Sequence, residues 1–240
     1  MGGWEEPIPI LGGADLIPVK LFSGHASTWR QIAPTLEQIV RWSNSQQQSL
    51  GASVPASGSS ERHALIAEVA FSMAAQGSVK LPSVGPKEFE KNARDFVVNL
   101  PRGEYAIERL AVGEWYEAYR ICRTIKKYAT IEQGFDFSPA VPGCGIVDEA
   151  VADIKRDREL VEVKTVTRPF RSSDFRQVLT YAAMYYASGL QIEQVTLLNP
   201  RRGRYFSSSL DLVALGASGL SGPGLMQELV ELMTGMNVSA

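Results

Sequence analysis

The sequence predicts an α/β fold in which a mixed sheet is flanked by helices. In the second half of the chain, segments with apolar residues at helical spacing alternate with short apolar runs, such as Leu160–Val166 and Gln194–Asn199. An apolar content of 45% and a charged content of 21% are typical of globular proteins. With 240 residues, the chain is long enough to bury a substantial core.

Residues 1–102 are predicted to form a mainly helical section. An amphipathic helix begins near Ser27 and starts again or kinks at Pro34, where the missing backbone N–H interrupts the helix. A second helix ends at Gly77, and a third carries Pro86 at its first position. This section contains no catalytic signature, so we interpret it as a scaffold or a partner-docking element.

Residues 103–240 are predicted to contain the α/β core. A helix is expected over Leu110–Tyr128, with Trp115, Tyr119, Cys122 and Ile125 on its core-facing side. The remaining predicted elements are a strand within Ile131–Gly143, a hairpin of Gly145–Asp157 and Leu160–Val166, a helix from Ser172 or Ser173 to Ala187, a strand over Gln194–Asn199, a strand or extended segment over Arg204–Val213, and a helix over Gly224–Met236.

Bulk composition excludes several classes of protein. A net charge of −2 argues against a protein that coats nucleic acid through its overall charge. No apolar run reaches the length of a membrane span, and the start of the chain lacks the basic and apolar leader of a secreted protein. The chain contains two cysteines, Cys122 and Cys144, and so low a number is typical of proteins in a reducing compartment. We therefore expect a cytoplasmic protein without membrane association; its oligomeric state is not indicated.

The predicted strand Leu160–Val166 carries a carboxylate and an ammonium on one face. Because side chains alternate along a strand, Val161 and Val163 point to one side and Glu162 and Lys164 to the other. Charged side chains on a buried strand are costly unless they are paired or bind a metal. The alternation thus predicts a charged site in the core.

The hairpin brings an aspartate back towards Glu162. Asp148 and Asp153 are both available, but they differ by five residues and would face opposite sides of a regular strand. We choose Asp148, because Asp153 lies near the hairpin end, where aspartate is commonly a turn residue. An aspartate and a glutamate offer the hard oxygen ligands that Mg²⁺ or Mn²⁺ prefers, and an adjacent lysine can stabilise a phosphate or orient a water molecule.

These residues resemble a known family. Asp148, followed after thirteen residues by Glu162, Val163 and Lys164, resembles the signature of the PD-(D/E)xK nuclease superfamily, although the Pro-Asp pair itself is absent. The segment Gly143–Asp148 is similar to the Gly-x-x-Asp turn of RecB-like and Mrr-like members.

Two further motifs extend the resemblance. Gln177 and Tyr181 match the Q-x-x-x-Y helix motif of the RecB-like branch. The segment Gly113–Tyr119 is similar to the Gly-x-x-x-Glu start of the first core helix, which would make Glu117 a helix carboxylate of the site. Together the motifs cover roughly residues 110–206.

The resemblance implies a restriction-endonuclease-like core and a Mg²⁺-dependent (or Mn²⁺-dependent) nuclease acting on DNA. It implies catalytic roles for Asp148, Glu162, Lys164, Gln177 and Tyr181. The metal ligands it implies are Asp148, Glu162, Glu117 and the carbonyl of Val163. Many members act in restriction, repair or phage-defence systems, which implies further protein subunits as partners. The alternative is a catalytically silent nuclease-fold subunit that binds nucleic acid or partner proteins.

Five arginines flank the predicted site in sequence and are candidates for DNA contacts. They are Arg171, Arg176, Arg201, Arg202 and Arg204. If they converge beside the carboxylates, they would supply phosphate contacts without making the whole chain basic. The alternative is a set of solvated arginines on loops.

Overall fold

A computed structural model of the chain describes residues 16–77, 87–98, 108–131 and 134–235. Its centre is a six-stranded mixed sheet with helices on both faces. This architecture confirms the predicted α/β class. The predicted boundary between residues 102 and 103 lies outside the described residues.

The strands of the large sheet have the order β1-β8-β7-β6-β5-β2. In this sheet β6 and β7 are parallel, and the other neighbouring pairs are antiparallel. Strands β3 and β4 form a separate antiparallel pair. The strand bounds are β1 Gln48–Ser49, β2 Asp136–Phe137, β3 Ala140–Val141, β4 Ala150–Val151, β5 Ile154–Arg156, β6 Glu159–Val163, β7 Gln194–Asn199 and β8 Arg204–Ser209.

Helices occupy the connections, as the apolar spacing predicts. Their bounds are α1 Val19–Gly24, α2 Ala26–Ile32, α3 Leu36–Ser45, α4 His63–Ala75, α5 Lys87–Val98, α6 Val112–Ile131, α7 Ser172–Ala187, α8 Leu210–Ser218 and α9 Gly222–Gly235. The predicted break at Pro34 is confirmed, because α2 ends and α3 begins on either side of it. The segment predicted as one strand or extended piece over Arg204–Val213 is instead divided between β8 and α8.

The sheet separates two hydrophobic cores, one on each face. Leu160 and Leu197 face the core formed with α7, α8 and α9, whereas the next residue of each strand, Val161 and Leu198, faces the core formed with α4 and α6. Such alternation is what a strand covered on both sides requires. It also fixes which face each polar residue of β6 occupies.

The predicted hairpin is shorter than expected on its first strand. Only Ile154–Arg156 pairs with β6, and Ala150–Val151 pairs instead with β3. The chain therefore changes sheets between these two segments, close to Asp153. This change decides which aspartate reaches β6.

The N-terminal helices belong to the same cores as the rest of the chain. Helices α1 and α3 pack against α7, α3 also packs against α8, and β1 extends the sheet beside β8. Helix α4 packs against α6 on the other face. Within the described residues, no helix has the length and apolar character needed to cross a membrane.

Candidate functional site

Glu162 and Lys164 lie together at the end of β6, as the alternation predicts. The Lys164 Nζ atom is 2.6 Å from Glu162 Oε1 and donates a hydrogen bond of 2.8 Å to Gln177 Oε1 on α7. Gln177 Nε2 in turn donates to the Tyr181 hydroxyl at 3.2 Å. Four residues predicted for the site, from a strand and from the following helix, are thus joined in one hydrogen-bonded chain.

The aspartate beside Glu162 is Asp153, and the choice of Asp148 was wrong. Asp153 Oδ2 accepts a hydrogen bond of 2.6 Å from the Val163 backbone N–H. The Asp148 carboxylate accepts a hydrogen bond from the Glu149 backbone, and its own N–H donates to Ile17 O at 3.0 Å. Asp148 therefore belongs to a loop held against the N-terminal part of the chain.

Close packing against α9 explains why a glycine, Gly145, begins the Gly-x-x-Asp segment. Gly145 has a φ of 55°, and a Cβ atom added there would lie 2.1 Å from Met233 O at the end of α9. The next residue, Ile146, donates its N–H to that same carbonyl at 3.0 Å. The segment that resembles the family turn is therefore a tight contact with α9, and it carries Asp148 away from β6.

The site holds two carboxyls and one ammonium in a largely buried position. Burial and the neighbouring charge of Asp153 raise the pKa of Glu162 from its ordinary value of 4.5 to about 8, although Lys164 acts in the opposite direction. Burial likewise raises the pKa of Asp153. Burial alone would lower the pKa of Lys164, but Glu162 and Asp153 outweigh it and raise that pKa. The cluster thus carries an excess negative charge that a proton or a bound cation would balance.

Glu68 on α4 is a third carboxylate near this cluster, and the sequence argument missed it. Its charge contributes to the raised pKa of Asp153. Burial raises the pKa of Glu68 itself, against the effect of a hydrogen bond with Ser72. Glu68 is the single charged residue between Ala64 and Gly77. A lone acid in an apolar helix is the signal by which the sequence could have revealed it.

The donor set at the site fits a hydrated divalent cation. Among the described residues, no group of three His, Cys, Asp or Glu side chains is close enough together to hold a metal ion. Asp153 and Glu162 therefore form a two-carboxylate set. Glu162 is 2% exposed, and its Oε2 has no N–H or hydroxyl donor in the described part of the chain; the group that can share a proton with the Glu162 carboxyl is the carboxyl of Asp153. Two adjacent carboxylates suit Mg²⁺, which usually keeps several of its own waters. The Val163 carbonyl as a further ligand stays a prediction.

Glu117 does not face this site. Its carboxylate is buried on α6, where Oε1 forms an ion pair with Arg201 at 2.5 Å and Oε2 accepts hydrogen bonds from the Ser57 backbone N–H, at 2.6 Å, and from the Ser57 hydroxyl. The prediction of Glu117 as a metal ligand is therefore wrong: its charge is balanced by an arginine. The prediction of Arg201 as a DNA contact is also wrong, because Arg201 is only 1% exposed.

The other four arginines fall into two places. Arg202, in the turn between β7 and β8, and Arg204, the first residue of β8, line one cavity with Thr167. Arg171 precedes α7, and Arg176 lies on α7 near Glu37 and Arg30, whose charges act on its pKa. Burial, the largest influence, lowers the pKa of Arg176. The five arginines therefore do not share one rim, although Arg202 and Arg204 lie together on one cavity. DNA contacts by Arg171, Arg176, Arg202 and Arg204 stay a prediction.

Comparisons of the chain with models of protein families, with curated proteins and with solved structures find no match. The resemblance to PD-(D/E)xK nucleases accordingly depends on the motifs themselves.

Proposed function

We propose that this chain is a metal-dependent nuclease that hydrolyses phosphodiester bonds of DNA, with the sheet and α7 forming a restriction-endonuclease-like core. The observation that carries the proposal is the convergence of Asp153, Glu162 and Lys164 at the end of one buried strand. A second element supports it, because α7 contributes Gln177 to the same cluster.

Each residue of the cluster has a chemical role in this proposal. Asp153 and Glu162 would hold Mg²⁺ or Mn²⁺, for which the buried Glu162 Oε2 is available. When bound, such an ion polarises a phosphate and lowers the pKa of a coordinated water. Lys164 keeps its proton because two carboxyls face it, so it can stabilise the negative charge that develops on the phosphate.

Gln177 and Tyr181 position Lys164. The Gln177 carbonyl oxygen accepts from Lys164, while its amide donates to the Tyr181 hydroxyl. Tyr181 is anchored in turn by donating to Val151 O at 3.4 Å. These contacts leave one orientation for the Gln177 amide and direct the ammonium towards Glu162.

The two aspartates of the hairpin region supply a matched test. With Mg²⁺ present, we expect the unmodified chain and Asp148→Asn to cleave plasmid DNA at rates within about two-fold of each other. Asp153→Asn should lower the rate by roughly 10²-fold or more, because it removes a ligand charge and leaves one side-chain oxygen to serve both Val163 N–H and the ion. Equal losses in both variants, with folding verified by circular dichroism, would contradict the site proposed here.

The catalytically silent subunit is the second candidate. It is favoured by the small size of the donor set, since no three-carboxylate group occurs among the described residues. Such a subunit would bind DNA or a partner protein of a restriction, repair or defence assembly without cleaving. Metal-dependent DNA binding without cleavage by the unmodified chain would select this candidate.

A further inference from the structure

The second half of α6 presents a run of positive charge that the site described above does not use. Arg120, Arg123, Lys126 and Lys127 fall within eight residues, and the sequence contains no acidic residue from Ala118 to Ile131. In a chain of net charge −2, this is a strong local concentration of cations.

The acidic residues of the same helix are already neutralised. Glu114 Oε1 pairs with Arg62 at 2.8 Å, and Glu117 pairs with Arg201. Both carboxylates lie in the first half of α6 and are buried. The second half of the helix thus carries four basic and no acidic side chains, and the Lys126 ammonium donates to Gly77 O just after α4.

Two neighbouring depressions extend this positive surface towards the segment that follows Lys164. The first, of about 500 Å³, is lined by the four basic residues of α6. The second, of about 520 Å³, is lined by Thr167, Arg202 and Arg204. Both share the loop residues Gly51, Ala52 and Val54, so one loop forms the ridge between them. We call these six cations, Arg120, Arg123, Lys126, Lys127, Arg202 and Arg204, the α6 basic surface.

The end of this surface that carries Arg202 and Arg204 lies at the carboxyl ends of β6 and β7, as Lys164 does. Strands β6 and β7 are parallel, so their carboxyl ends lie side by side. The turn with Arg202 and the segment after Lys164 both begin there. Thr167, three residues after Lys164, lines the second depression. The second depression thus reaches the segment that follows Lys164, at the carboxyl end of β6, whereas Glu162 and Lys164 themselves face α7 on the other side of the sheet.

The ridge between the depressions is held by backbone contacts. Leu50 N donates to Gly203 O at 2.8 Å, and Val54 N donates to Arg201 O at 2.7 Å. Gly203 has a φ of 60°, and a Cβ atom there would lie 2.4 Å from Gly51 O. The Lys127 ammonium also donates to Leu50 O at 2.6 Å. Lys127, Arg202 and Arg204 are thus attached to a fixed framework, which reduces the entropy lost when a ligand binds.

We infer that the α6 basic surface binds the phosphate backbone of duplex DNA on one flank of the bond to be cleaved. From Arg120 to Lys127 the helix rises about 10 Å, which matches roughly three successive phosphates of one DNA strand. The cations lie outside the sheet core, where they can reach phosphates but not specify bases, so the contacts position the duplex. The identity of the polyanion rests on the proposed function.

Equilibrium binding of a fluorescent DNA duplex tests this inference without cleavage. Anisotropy is measured in EDTA over about 50 to 200 mM salt for the full chain and for Arg123→Gln/Lys126→Gln. We expect roughly ten-fold weaker binding and a salt slope smaller by about 1.8, since each lost phosphate contact removes about 0.9. The control Lys20→Gln/Arg41→Gln removes one lysine and one arginine, both exposed, from α1 and α3 on the opposite face of the sheet.

The outcomes separate this inference from the nuclease proposal. Equal slopes for both double variants would overturn the inference even if the chain cleaves DNA. A slope reduced only by the α6 variant would support it even if no cleavage occurs with Mg²⁺. Tighter binding of an RNA duplex of the same sequence would overturn the DNA assignment. If Arg123→Gln/Lys126→Gln does not fold, Arg120→Gln/Arg123→Gln takes its place with the same expected slope.

Discussion

Two glutamates of one strand, Glu159 and Glu162, are buried to nearly the same degree but lie in different chemical environments. Glu159 is 4% exposed, and it accepts hydrogen bonds from Tyr128 and Thr196 and pairs with Arg156 at 2.8 Å. Glu162 is 2% exposed, pairs with Lys164 and faces a second carboxyl. Both carboxylate oxygens of Glu159 accept hydrogen bonds from side chains. By contrast, Glu162 Oε2 has no N–H or hydroxyl donor in the described part of the chain.

The Glu117–Arg201 pair resembles Glu159 in its balanced charge: Arg201 forms an ion pair with Glu117 Oε1, which has no hydrogen-bond partner among the described residues, and the N–H and hydroxyl of Ser57 donate to Oε2. Burial of a carboxylate therefore does not by itself indicate a site. What distinguishes the Glu162 cluster is its unbalanced charge, which costs stability unless a ligand offsets it. A buried carboxylate whose charge is balanced by one cation belongs to the fold, and one of two carboxyls that share a single cation is a candidate for binding.

The largest effect that we expect among these carboxylates is a loss of stability when Glu117 is removed. We expect Glu117→Ala to lower the free energy of unfolding by about 3–5 kcal/mol, because it leaves the Arg201 guanidinium buried without a counter-charge. Urea unfolding followed by circular dichroism measures this change. The double variant Glu117→Leu/Arg201→Met should recover much of the loss, since it removes both charges. If Glu117→Ala were stable but had lost Mn²⁺ binding, the structural role assigned to Glu117 would be refuted.

The next effect concerns activity. We expect Lys164→Ala to lower cleavage about 10²- to 10³-fold while retaining Mn²⁺ binding, because in the proposed mechanism Lys164 acts on the phosphate and is not a ligand. Glu162→Ala should remove both activity and Mn²⁺ affinity, since a single carboxylate cannot hold a hydrated ion in this position. Calorimetric Mn²⁺ titration and a plasmid assay on each variant measure the two quantities. Undiminished cleavage by folded Lys164→Ala would rule out the mechanism.

The smallest effect is a pH-dependent change in stability. Because the pKa of Glu162 is about 8 in the folded chain and 4.5 ordinarily, ionising it costs folded stability as pH rises between these values. Without metal, Glu162→Gln should therefore gain thermal stability over the unmodified chain between pH 4.5 and 8, reaching on the order of a few kcal/mol above pH 8. Asp153 remains as a partner for Lys164 in this variant.

Glu159→Gln is the matched control for this pH experiment. It should lower the melting temperature at pH 9, because it weakens the contact with Arg156 and disturbs the acceptor for Tyr128 and Thr196. The same direction of change in both variants would contradict the distinction between a satisfied and an unbalanced glutamate.

The sequence by itself determined the α/β class and the part of the site that depends on local spacing. Alternation along β6 placed Glu162 and Lys164 on one face, and spacing of four along α7 placed Gln177 and Tyr181 on one side of the helix. These relations hold over a few residues of one regular element, so they follow from backbone geometry once the element type is known.

Tertiary structure alone decided the choice between aspartates and the fates of Glu117 and Arg201. Asp153 is selected because the chain leaves the small sheet for the large one just before β5, and Asp148 is held away by the contact of its loop with Ile17. Glu117 and Arg201 are 84 residues apart in the sequence and meet only because α6 covers the turn after β7. Periodicity within an element cannot specify such contacts, since they depend on how distant elements pack and on which buried charges then find partners.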